Sequence, residues 1–307
     1  MRNEYAFVGD VASKLLSQIN EPRNIDDLLK TSLGDSLSLI RGLKNGELTL
    51  IGARPSMGKT ALALRILRDF SLFKDKTVVY FSPDIIKEEL VWRLMKSSAG
   101  IKDNAFGTRK VSDDEYRRLS GFIDSLTYPN PIIDDTSGIS VDEIYDKSIR
   151  LKNKESIDLV IVDELQDLQA SKEFNSSREE MEYNVKRLKE LAQVLDIPIM
   201  ITSNVTEAVD NRQDHHPKIE DLRAIGDIEQ FLDTIMFIYR ENYYIDGGYR
   251  YNGVTEITIP KHNDGYPDLL YLVWKPEYYA FYDNKYDEKV YFGLDVYNCE
   301  ISKSYDD

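Results

Sequence analysis

Eight consecutive residues, Ala53, Arg54, Pro55, Ser56, Met57, Gly58, Lys59 and Thr60, have the types and spacing that hold a nucleoside triphosphate. In such a loop backbone N–H groups converge on phosphate oxygens, a lysine reaches the terminal phosphates and a Ser or Thr hydroxyl ligates magnesium. Gly58, Lys59 and Thr60 fill those three positions, which makes ATP and Mg2+ the expected cofactors. Ala53 stands where a glycine is usual, so the turn at that position must avoid positive φ. A Gly-Lys-Thr triplet is common by chance. Here an apolar stretch, Leu48 to Ile51, precedes the loop, an amphipathic helix follows it, and an acidic strand lies farther along the chain.

That second signature is Leu159-Val160-Ile161-Val162-Asp163, an apolar strand ending in a carboxylate. Such an arrangement places an acid beside the magnesium of a bound nucleotide, so Asp163 joins Thr60 as a metal-site residue. Hydrolysis also needs a carboxylate to orient the attacking water. Two residues compete for that role. Asp84 follows the strand Thr77 to Phe81, and Glu164 directly follows Asp163. The bland alternatives are a helix N-cap for Asp84 and a solvated or paired loop acid for Glu164.

The elements that must position these residues alternate. The apolar periodicity predicts strand 48–52, helix 59–72, strand 77–82, helix 86–99, a helical pair over 112–126 and a short strand at Ile132-Ile133. Helix 140–153, strand 158–163, helix 177–195 and strand 198–203 follow. Strands separated by helices of ten or more residues imply a mostly parallel sheet covered on both faces, an α/β fold. After Thr234 the pattern changes to strands 234–239, 254–259, 269–274 and one near 289–297, expected to extend the sheet antiparallel. Residues 10–31 read as one or two helices forming an arm, with Val11, Leu15, Leu16 and Ile19 ahead of Pro22. No internal repeat is visible.

The chain has 307 residues, 42% hydrophobic, enough for a substantial core. Its one cysteine, Cys299, rules out an intramolecular disulfide and any cysteine-built zinc site. No targeting segment or membrane-length apolar run is present, so a cytoplasmic protein with no membrane partner is expected. The net charge of −15 gives no help to a nucleic-acid partner, although a channel needs positive charge only along its lining. The 20 tyrosines read as strand chemistry rather than base stacking. The adjacent pair His215-His216 lacks a carboxylate at helical spacing and is not read as a metal site.

With these residues on the page, the chain resembles the C-terminal, RecA-like motor domain of the DnaB family of replicative helicases over about residues 33–283. The loop Ala53-Arg54-Pro55-Ser56-Met57-Gly58-Lys59-Thr60 carries the resemblance, including its alanine. So do Ile157 to Asp163 with Leu165-Gln166, the segment Arg187 to Ala192 with Ile197-Pro198, Asp221-Leu222-Arg223, Ile228-Glu229-Gln230 and Met236 to Arg240. The resemblance implies a P-loop NTPase that binds single-stranded DNA, assembles as a hexameric ring and works with loader or primase proteins. It assigns the water-orienting acid to Asp84, where the family has Glu, and the sensor position to Asn204, where the family has Gln. Lys261 matches a lysine that reaches the neighbouring subunit's nucleotide, while Asn263 stands in the place of the arginine finger. An asparagine supplies no charge to the transferring phosphoryl group. The segment 206–217, one DNA-contacting loop of the family, carries Glu207, Asp210 and Asp214 against Arg212.

The expected organisation is an arm at 1–32 in place of the family's separate N-terminal domain, a motor at 33–283, and an acidic, Tyr-rich extension at 284–307. Two other readings stay open: a DnaB-like paralogue that binds nucleotide and recruits or regulates replication proteins, and a RecA-like recombinase coating DNA.

Overall fold

The structure is a computed structural model that describes residues 6–17, 43–74, 76–102, 111–126, 131–223, 225–245, 253–262 and 269–283. Its elements are β1 (Ala6–Phe7), α1 (Val8–Ser17), β2 (Leu48–Ala53), α2 (Lys59–Lys74), β3 (Val78–Phe81), α3 (Lys87–Ala99), α4 (Asp113–Ser125) and β4 (Ile132–Asp134). They continue with α5 (Val141–Glu155), β5 (Leu159–Val162), α6 (Ser177–Leu195), β6 (Ile199–Asn204), α7 (Glu220–Arg223), β7 (Thr234–Tyr239), α8 (Glu241–Ile245), β8 (Gly253–Lys261), β9 (Leu269–Lys275) and β10 (Ala280–Asp283).

All ten strands form one sheet in the order β1-β4-β3-β5-β6-β2-β7-β8-β9-β10. Strands β4, β3, β5, β6, β2 and β7 run parallel, whereas β1 and β8 to β10 pair antiparallel. The continuous apolar runs of β2, β3 and β5 are the mark of strands buried on both faces. Alternate residues accordingly enter two cores. Ile51, Tyr80 and Ile161 pack under α1 to α4, and Leu50, Val79 and Val160 pack under α5 and α6. Helix starts obey local chemistry: Ser112 with Glu115 and Ser140 with Glu143 form reciprocal capping boxes for α4 and α5.

Four expectations change. The helical pair over 112–126 is one helix, launched by its capping box and continuous through Gly121. The strand at 234–239 joins β2 in parallel, because residues 205–233 form a crossover long enough to return the chain to the same edge. The strand after β9 is Ala280–Asp283, reached by a short 3-10 turn at Pro276–Tyr278. The expected strand near 289–297 lies outside the described residues, as does residue 263. At the amino end, α1 begins at Val8, and Val8, Val11, Ala12 and Leu16 are buried in the chain's own core. No helix of the described residues is long and apolar enough to cross a membrane.

Candidate nucleotide site

Strands β3, β5, β6 and β2 are neighbours, and their carboxyl ends bring Asp84, Asp163 with Glu164, Asn204 and the phosphate loop to one edge. A crevice outside the carboxyl ends of parallel strands is where open α/β sheets bind ligands. The cleft there has a volume of about 370 Å³, and Pro55, Ser56, Gly58, Lys59, Thr60, Asp84, Asp163, Glu164, Asp167, Asn204 and Tyr279 are among its lining residues.

The loop is held from below. Ala53 is the last residue of β2, fully buried and paired with Asn204. The turn is made instead at Ser56 and Gly58, whose φ values are 64° and 105°. A Cβ on Gly58 would lie 2.7 Å from the Phe281 ring, so both backbone and space require glycine there. Met57 is buried in the core beneath the loop. The Arg240 guanidinium, 4.9 Å from the Trp274 ring centroid, donates to the Ser56 carbonyl at 3.3 Å. Burial pulls that guanidinium down to about 10, which leaves it charged at neutral pH. Arg54 turns the other way and pairs with Asp210 at 2.7 Å while donating to the Val205 carbonyl at 3.1 Å.

Asp163 follows β5 and is 4% exposed. The Tyr80 hydroxyl donates to one of its carboxylate oxygens at 2.6 Å and the Thr202 hydroxyl donates to the other. Each oxygen keeps a lone pair, and the side chain lines the cleft beside Thr60. Hydroxyl and carboxylate oxygens are the hard donors that suit Mg2+ held chiefly by substrate phosphates, so Thr60 and Asp163 fit that ion. The Lys59 ammonium lies 3.2 Å from Glu164 and donates to Asn204 Oδ1 at 2.6 Å. The Asn204 amide also donates to Glu164, and Gln166 braces Asn204 through its backbone N–H at 3.2 Å. Burial pushes the Glu164 carboxyl up, against the opposing pull of Lys59. Asp167 is raised by burial first, then by the charges of Asp84 and Asp163.

Asp84 is exposed at the cleft rim. It does not cap α3: Ile86 occupies the N-cap position, and the Lys87 backbone N–H donates to Asp135 at 3.1 Å. Glu164 is a paired acid, and its partner is the phosphate-loop lysine. Lys261, in contrast, lies away from this cleft. Its ammonium donates to the Glu229 carbonyl at 2.8 Å and lines a second pocket with Arg223, Asp227, Glu229 and Gln230.

The segment 206–217 uses its cationic and aromatic groups internally. Arg212 forms a two-pronged pair with Asp221, one prong at 2.6 Å. His215 stacks on Tyr244 at 4.1 Å and His216 on Tyr239 at 3.8 Å between ring centroids. Four residues of the site were not singled out from sequence: Tyr80 and Thr202, which orient Asp163, and Asp167 and Tyr279, which line the cleft. Tyr80 reads as one more apolar strand residue, and only the pairing of β3 with β5 aims its hydroxyl at Asp163.

The DnaB-like helicase C terminal domain family matches residues 29–283. The replicative DNA helicase DnaC of Bacillus subtilis (strain 168) is 33% identical over 241 residues, 78% of this chain and 53% of that protein. The replicative DNA helicase DnaB of Geobacillus stearothermophilus is 32% identical over 250 residues, 80% of this chain and 55% of that one. The chain therefore spans about half the length of these curated relatives. Among solved structures, an ATPase domain determined on its own superimposes with a TM-score of 0.72 at 32% identity, covering 78% of this chain and 85% of that one. A DnaB-like replicative helicase, described with its interactions with primase, gives the same TM-score and identity over 78% of this chain and 58% of its own. By fold, phosphate loop and sequence, the chain belongs to the DnaB-like helicases, as a divergent example of their RecA-like C-terminal domain.

Proposed function

We propose that this chain is an ATP-dependent DNA motor of replication, coupling ATP hydrolysis to translocation along single-stranded DNA. The observation that carries the reading is the convergence of Lys59, Thr60, Asp84 and Asp163 on one cleft at the carboxyl ends of adjacent parallel strands. Lys59 and the loop backbone bind the phosphates, Thr60 and Asp163 hold the magnesium, and Asp84 orients the attacking water. Magnesium supplies charge neutralisation on the phosphoryl oxygens when bound. Glu164 is the ground-state partner of Lys59 and yields it to the incoming phosphates; its carboxylate then lies beside the reacting group as a second acid.

Lys261, outside its own cleft, acts on a neighbour's nucleotide in a ring of subunits, a hexamer by family resemblance. A lysine there supplies part of the charge that Asn263 lacks. Residues 33–283 form the motor, 1–32 an arm and 284–307 an extension. A primase or loader is the expected protein partner, by likeness to a relative described with primase.

Displacement of a labelled strand from a duplex with a single-stranded tail tests the motor. ATP-driven displacement that Lys59→Ala abolishes supports it. Nucleotide binding with neither displacement nor DNA-dependent turnover overturns it and favours a nucleotide-binding paralogue that recruits replication proteins.

A further inference from the structure

The β9–β10 hairpin packs onto the phosphate loop from outside the central strands. Phe281 touches Gly58, and the Arg65 guanidinium of α2 pairs with Asp283 at 3.0 Å. Between these contacts the chain turns at Tyr279, whose φ of 54° is a left-handed conformation that bulky residues seldom adopt. The turn sends the Tyr279 side chain into the nucleotide cleft, where it lines the wall with Gly58, Lys59, Thr60 and Asp163.

Three groups hold the phenol there. Its ring meets Trp274 edge-on, with centroids 5.7 Å apart. Arg93 of α3 donates to its oxygen at 3.0 Å, with its guanidinium 4.8 Å from the ring centroid. The Glu89 carboxylate, 2.7 Å from Arg93, fixes that guanidinium in turn. The phenol also shares a side-chain hydrogen bond with Thr60. A phenol oxygen accepts as well as donates, and a threonine hydroxyl has one hydrogen and two lone pairs. When the Thr60 hydrogen points at Tyr279, both lone pairs turn toward the cleft.

We propose that Tyr279 is a positioning residue of the nucleotide site: its oxygen, backed by Arg93, accepts the Thr60 hydrogen and so orients the Thr60 lone pairs for magnesium. This rests on the nucleotide-site reading above. Tyr279 touches neither phosphate nor metal in this role. It acts through Thr60, as partners behind a metal ligand commonly do.

The test titrates a fluorescent ATP analogue onto the full chain with Mg2+ and again with EDTA. Wild type gains affinity with Mg2+. Tyr279→Phe, which keeps the ring against Trp274 and Arg93, is expected to lose roughly three- to tenfold of that gain, the worth of one neutral hydrogen bond. In EDTA the variant binds within twofold of wild type. Arg93→Gln shifts the Mg2+-linked gain in the same direction. In a Thr60→Ala background, Tyr279→Phe costs nothing further, because the two residues act as one unit. An unchanged Mg2+-linked gain, an equal loss in EDTA, or an additive loss in the Thr60→Ala background overturns the proposal. A wild-type chain that shows no Mg2+-linked binding at all overturns the nucleotide-site reading itself, and this inference with it.

Discussion

Asp163 receives hydrogen bonds on both carboxylate oxygens, from Tyr80 and Thr202, so its orientation is set before any metal arrives. Tyr80→Phe removes one of these bonds from a fully buried site. The expected result is a fall of about tenfold in the Mg2+ dependence of nucleotide binding, the scale typical of outer-shell partners. An unchanged Mg2+ titration would remove Tyr80 from the site. Asp167 offers a pH test. Its carboxyl is raised by burial and by its acidic neighbours, so it binds more protons folded than unfolded and subtracts stability as pH rises through the raised value. At neutral pH the full cost is present. Asp167→Asn removes it and is expected to raise the Tm of the nucleotide-free protein by about 1–2 °C at pH 7. The gain vanishes below the ordinary carboxylate range, where both states are protonated. A lower Tm at pH 7 would contradict the account.

At the scale of elements, the loop between β2 and α2 depends on the β9–β10 hairpin that covers it. Gly58→Ala puts a Cβ 2.7 Å from Phe281 at a φ of 105°, so it strains both pieces. The expected loss of about 1–3 kcal/mol in stability, with weakened nucleotide binding, is readable by denaturant melts and titration. A variant as stable and as tight as wild type would show that the hairpin does not brace the loop. Much of this site was legible in the sequence. Period-2 and helical patterning located β2, β3, β5 and β6 and the helices between them, and the loop with its acidic strand followed from residue type. What stayed hidden depends on strand order. The pairing of Lys59 with Glu164 and Asn204 needs β5 and β6 side by side next to β2. The hairpin that delivers Tyr279 has a tyrosine where a left-handed turn ordinarily shows Gly or Asn, so composition pointed past it to a later strand.

Across the whole molecule, the separation of Lys261 from its own cleft gives the ring its clearest consequence. A lone subunit has no route from Lys261 to its own phosphates, whereas an assembled one presents it to a neighbour. Lys261→Ala is expected to leave nucleotide affinity within twofold and to lower turnover by a power of ten or more, the scale of a trans-acting cation. Equal turnover by the variant assembly would show that the lysine only caps Glu229. The net charge of −15 bears on the same scale, since phosphate contact must come from a locally basic lining and weaken steeply with salt.

The central claim is that the cleft built by Lys59, Thr60, Asp84 and Asp163 drives a DNA motor. Its most direct measurement is ATP turnover by the purified chain with and without single-stranded DNA, with Lys59→Ala as the blank and assembly size read in the same buffer. The account predicts turnover that DNA stimulates, in a ring-sized assembly, and that Lys59→Ala abolishes. ATP binding without DNA-stimulated turnover would contradict it.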